Sequence, residues 1–189
     1  MKKVMAIVAA LFVATVTQAA SIDWSLLGTG SNALKGQNGS NLSGVTVYLV
    51  LASEIGDITS AITGGTFSSS TYGVLGSAVN AANTTVAGVT ATSASLDAGT
   101  AYLYALLVFN ETYTGLADSS GYYKFSESGG PVKAYSIPGG DDPTEVLFAS
   151  GPDFNGTAWG KYTVVPEPTS MALLALGAAA VGLRRRFRK

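Results

Sequence analysis

The sequence predicts an all-β protein: a single antiparallel β-sandwich carried between two terminal apolar helices. Three observations predict it. Apolar runs of strand length, rich in Val, Leu, Tyr and Phe, recur between residues 45 and 165. Gly and Pro pairs punctuate them, at Gly129-Gly130-Pro131, Pro138-Gly139-Gly140 and Gly151-Pro152. Within the body, helical spacing is confined to the segment SEIGDITSAITGG, where Ile55, Ile58 and Ile62 recur.

The first element is an export address. Lys2 and Lys3 form a positive start, and residues 4–16 form an apolar stretch too short for a comfortable membrane span. Thr17-Gln18-Ala19 then sets small residues where a signal peptidase requires them. Residues 1–19 therefore read as a secretory signal peptide cut after Ala19, with Ala20 as the alternative site and an uncleaved anchor as the competing reading. The implied partners are the Sec translocon and signal peptidase.

The body, residues 20–163, follows. Residues 45–52 (VTVYLVLA) and 101–110 (AYLYALLVFN) are apolar on both faces, as in strands covered on two sides. Shorter strand-like runs lie at 86–92, 122–126, 132–137, 145–149 and 158–165. The helical segment is expected to start at a Ser53 cap, to set Glu54 and Asp57 at the positive end of its dipole and to end at Gly64.

Leu96-Asp97-Ala98-Gly99-Thr100-Ala101-Tyr102 runs directly into one of the doubly apolar strands. It resembles the tyrosine corner of fibronectin type III and related immunoglobulin-like sandwiches, in which the Tyr hydroxyl bonds back to nearby backbone. The alternative is an ordinary turn before a strand that contains Tyr. The resemblance implies an immunoglobulin/fibronectin-III-like sandwich.

Composition excludes several chemistries. The 47% hydrophobic content and mean hydropathy of +0.32 are high for a soluble domain, and much of the excess sits at the two ends. Residues 20–165 hold eleven acids against four lysines and no arginine, a net charge of −7. Such a body is a poor match for nucleic acid, which needs clustered Lys or Arg. The chain has neither Cys nor His. Disulfides, the usual zinc sites and Ser-His-Asp or Cys-His nucleophiles are therefore impossible, and core burial has to hold the body together.

Candidate sites in the body have bland counterparts. Glu111, Asp118, Glu127, Asp141, Asp142, Glu145 and Asp153 fall near expected loops, but no pair stands out as a glycosidase couple. The stretches GGDDPTE and PDFNG could offer oxygen ligands to calcium, although turn formation explains the same residues. Trp24, Tyr113, Tyr122, Tyr123 and Trp159 could stack on sugar rings, while aromatics in a cysteine-free domain mostly supply core. Sequons begin at Asn38, Asn41, Asn83, Asn110 and Asn155. No catalytic, cofactor or metal residue is assigned.

The last element, residues 164–189, is the most specific. Pro166-Glu167-Pro168 precedes residues 171–183 (MALLALGAAAVGL), which carry no charge. As a helix these thirteen residues reach about 20 Å, against a hydrocarbon core of about 30 Å. Arg184, Arg185, Arg186, Arg188 and Lys189 close the chain as a stop-transfer cluster that stays cytoplasmic. The two prolines keep that helix from running back into the body and leave Glu167 extended.

This order of motif, apolar helix and basic tail resembles the PEP-CTERM sorting signal of exported bacterial proteins. The resemblance implies transient insertion in the inner membrane. It also implies recognition by an exosortase, an integral-membrane cysteine transpeptidase that cuts near the Pro-Glu-Pro. A permanently kept membrane anchor is the alternative. Together the elements lead to the expectation of a non-enzymatic cell-surface or extracellular-matrix protein. The competing expectation is a carbohydrate-binding or adhesion module of a biofilm or exopolysaccharide matrix.

Overall fold

The stretch ASIDWSLL alternates apolar and polar residues, the period of a strand with one face in a core. In the computed structural model it forms β1, Ala20–Leu27, with Ala20, Ile22, Trp24 and Leu26 buried. The structure describes residues 19–28, 33–80, 85–115, 119–136, 145–149 and 158–164. The expected signal peptide and the expected helix at 171–183 lie outside these residues. Among the described residues no helix is long and apolar enough to cross a membrane.

The remaining elements are β2 (Thr46–Leu51), α1 (Ile55–Thr63), β3 (Val74–Val79), β4 (Thr85–Ser93), β5 (Ala101–Tyr102) and β6 (Tyr104–Phe109). After them come β7 (Ser120–Glu127), β8 (Val132–Lys133), β9 (Tyr135–Ser136), β10 (Glu145–Ala149) and β11 (Gly160–Thr163). One sheet has the order β10-β1-β4, with β9 also on β1; the other has the order β11-β7-β6-β2-β3. A small β5–β8 ladder stands apart from both.

Between the sheets lies the main core. Ile22, Trp24 and Leu26 of β1 and Val146 and Phe148 of β10 meet Val47 and Leu49 of β2 and Tyr104, Leu106 and Val108 of β6. A second core covers the outer face of the five-stranded sheet. There Val50, Ala105, Leu107 and Phe109 pack beneath Ile58 and Ile62 of α1, together with Phe67, Tyr162 and Val164. The sheet is thus buried on both sides, which is why β6 is buried at every position and β2 carries no strongly polar residue after Thr46.

The sheets are mostly antiparallel, as expected, with one parallel pair and one difference at the helix start. The sandwich is not wholly antiparallel, because β10 runs parallel to β1 from Asp23↔Glu145 to Leu27↔Ala149. β9 pairs antiparallel on the same edge of β1, at Ala20 and Ser21. The chain therefore reverses direction between β9 and β10 and returns to the same strand. The helix start also differs: no side chain caps it and Ser53 sits in a 3₁₀ turn at Ala52–Glu54, whereas Gly64 does end the helix as expected, with a right-handed backbone. The left-handed residue is Gly65, at φ +74°. The chain passes from β2 straight into the 3₁₀ turn, leaving no separate capping residue between strand and helix.

The expected corner forms. The Asp97 N–H donates to the Tyr102 hydroxyl over 3.0 Å, and Leu96 is buried in the main core. Thr100 and Ala134 extend the bracing, since the Ala134 N–H donates to the Thr100 carbonyl at 3.0 Å. The corner lies between β4 of one sheet and β6 of the other.

Candidate functional site

The outer face of the five-stranded sheet gathers the side chains with recognition potential. Phe109 and Tyr113 stack with centroids 5.0 Å apart, and Tyr48, Phe67 and Tyr162 meet them edge-on or tilted. The Tyr113 hydroxyl donates to the Ile62 carbonyl at 2.9 Å, which ties the loop after β6 to the last turn of α1. Burial pushes the phenols of Tyr48, Tyr113 and Tyr162 above the ordinary tyrosine value, and the Glu111 charge adds to the shift at Tyr162. Tyr48, Phe109, Glu111 and Tyr113, with Thr46 and Thr112, border a shallow cleft of about 80 Å³. That is far below the several hundred Å³ of a typical small-molecule pocket, of order 300 Å³ or more.

Other aromatic candidates are structural. Trp24 is fully buried in the main core. Tyr123 packs on Phe125 and Tyr162. Trp159 is half-buried, and the Lys124 ammonium lies 5.2 Å from its ring centroid. Lys124 is itself buried, and loss of solvation lowers its pKa. Tyr122 is half-buried on the face of β7 that also carries Lys124.

Of the expected carboxylates, the described ones lie apart. Glu111 borders the cleft, Glu127 closes β7, and Glu145 on β10 accepts a hydrogen bond from Ser25. Asp118, Asp141, Asp142 and Asp153 lie outside the described residues, as does most of the expected calcium stretches. Sequence reasoning passed over Asp23, the register partner of Glu145, which accepts bonds from Thr90 at 2.6 Å and Tyr135 at 3.0 Å. Its place in the alternation of β1 marked it as outward-facing, but no local motif marked its partners. Among the described residues no group of three or more acids could hold a metal.

β11 leads out of this face toward the tail. Among the described residues it is an edge strand, paired with β7 in the register Gly160↔Tyr123 to Thr163↔Ser120. Tyr162 lies across Gly121, where an added Cβ would come within 2.8 Å of its hydroxyl oxygen, so that crossing requires glycine. Beyond the strand, Val164 is 4% exposed and its N–H donates to the Ser119 carbonyl at 2.9 Å. Its side chain fills a slot against Gly65, where a Cβ would approach Val164 Cγ1 to 2.7 Å. Folded structure therefore reaches within two residues of Pro166.

Residues 164–186 match the PEP-CTERM protein-sorting motif. The chain carries a PEP-CTERM sorting signal. The match spans Pro166, Glu167, Pro168, the apolar run and Arg184 to Arg186, in the order the sequence suggested. It supports sorting by an exosortase and hence export. Those residues, with Arg188 and Lys189, lie outside the described structure, whereas Ala19 stands immediately before β1. No curated protein and no solved structure matches the chain.

Proposed function

We propose that the chain is the precursor of a cell-surface or extracellular-matrix protein whose body is structural and non-enzymatic. The observation that carries the reading is the match to the PEP-CTERM signal at 164–186, placed directly behind a folded β-rich body. On this reading the Sec translocon exports the chain and signal peptidase releases Ala20. The apolar run then pauses in the inner membrane, with the arginines as its stop. An exosortase cuts the main chain near Pro166-Glu167-Pro168, and the body passes outward while the helix stays behind.

The test replaces Pro166, Glu167 and Pro168 with alanine in cells that carry an exosortase. The precursor should accumulate in the membrane fraction. Unchanged release of the body would count against sorting and leave a plain anchor.

A second reading, a carbohydrate-binding or adhesive module of an exopolysaccharide matrix, draws on the aromatic cleft beside Glu111. Glycan-array binding that falls on Tyr113→Ala would favour it over the purely structural role. Uniformly blank arrays would count against it.

A further inference from the structure

The matched sorting signal and the folded body share a residue. The match begins at Val164, and Val164 is a buried member of the outer core with its N–H bonded to Ser119. Only Val165 separates it from Pro166. On the other side, six residues (165–170) separate Val164 from the start of the apolar run at Met171. Fully extended they span about 20 Å. A processing enzyme takes its substrate as an extended chain with the backbone free to bond. Upstream of the motif that backbone is already committed, because residues 160–163 pair with β7 and Val164 pairs with Ser119. The enzyme and the body therefore compete for the same stretch.

We infer that β11 is a release strand: an exosortase engages the signal productively only when residues 160–164 have left β7. This rests on the sorting reading given above. β11 suits the role. It has four residues, lies among the described residues at the edge of its sheet with β7 as its partner there, and is held by two buried side chains, Tyr162 and Val164. Short edge elements of this kind open locally far more readily than a central strand such as β6. Processing that depends on opening follows the population of the open form.

A disulfide across the pair provides the test. Ser120 and Thr163 face each other and are both exposed. Val164 bonds to Ser119, so in the alternation of an antiparallel ladder Thr163 and Ser120 form the non-hydrogen-bonded pair. Their Cα atoms are then about 4.5 Å apart, within the range a disulfide spans. The chain has no cysteine to compete for the bond.

Full-length precursor is expressed with an exosortase, and loss of the tail is followed on gels. Oxidised Ser120→Cys/Thr163→Cys should be processed at least about tenfold more slowly than either single variant, and a reductant should restore the rate. Gly65→Ala, which intrudes on the slot for Val164, should accelerate processing, whereas Ile22→Val in the opposite sheet should not. Processing of the bridged protein at the rate of the single variants would overturn the inference, and so would equal acceleration by Ile22→Val. Should the bridge fail to form, a Gly65→Ala rate equal to wild type would overturn it alone. The triple alanine variant separates the two ideas. If it stays unprocessed, sorting stands whatever β11 does; if it is processed, the sorting reading itself fails.

Discussion

Replacing Tyr104 with phenylalanine should stabilise the body. Tyr104 opens β6, is fully buried in the main core, and its hydroxyl has no hydrogen-bond partner among the described residues. A buried hydroxyl left unsatisfied costs about 1 to 3 kcal/mol. Phenylalanine keeps the ring and leaves no cavity of consequence, so most of that cost should be recovered. In a body of this size each kcal/mol moves the melting point by about 2 to 4 °C, which gives a rise of at least about 2 °C. The same burial sets a pH signature. Loss of solvation, with Tyr102 nearby, raises the Tyr104 phenol to about 12, against about 10 in an unfolded chain. Below pH ~10 both states hold the proton and the group is silent. Between ~10 and ~12 the unfolded chain releases its proton and the native state keeps it, so stability falls as pH rises. The variant lacks this loss, and the gap between the two proteins should widen above pH ~10. Other buried tyrosines cancel in the difference. Urea unfolding of both proteins at pH 7.5 and at several alkaline values measures it. A variant no more stable than wild type at neutral pH, or a gap that stays constant as pH rises, would refute the reasoning.

Three further outcomes are expected. Tyr102→Phe removes the acceptor for the Asp97 N–H at the corner and should cost about 1 kcal/mol, seen as a lower urea midpoint with an unchanged slope. Ser25→Ala should cost about 1 to 3 kcal/mol, because Ser25 receives the Gly88 N–H at 2.8 Å and donates to Glu145, tying β1 to β4 and β10; a midpoint shift below a few tenths of a kcal/mol would show that the tie is dispensable. Amino-terminal sequencing of exported protein should begin at Ala20, since that residue is buried at the start of β1 and its loss would shorten the strand; an intact Met1 would instead indicate an uncleaved anchor.

Where the physics was local, the sequence was readable. VTVYLVLA and the YALLVF part of AYLYALLVFN form strands covered on both faces, and the two cores explain the pattern. The spacing of Ile58 and Ile62 placed the buried face of α1. The corner was legible because seven contiguous residues carry its turn, its Leu and its Tyr. Non-local features were not legible. β1, the central strand of its sheet, alternates from Ala20 to Leu26, but it directly follows the export signal, whose apolar run hides where the strand begins. β3 (VLGSAV) carries Gly and Ser, which weaken any strand signal. The parallel return of β10 to β1 depends on tertiary contacts spread over more than a hundred residues of chain. Leu103 interrupts the long run, so the chain leaves the β5–β8 ladder before joining the main sheet as β6. At the site, the sorting motif was fully legible because an enzyme reads it as linear sequence. The burial of Val164 beside Gly65 depends on folding and had no sequence signature.

The most direct test of the sorting reading is the intact mass of the body recovered from the surface of cells that carry an exosortase. The expected species begins at Ala20, ends close to Pro166-Glu167-Pro168 and lacks the apolar run and its arginines. A surface species whose mass still includes Arg184 to Lys189 would contradict it.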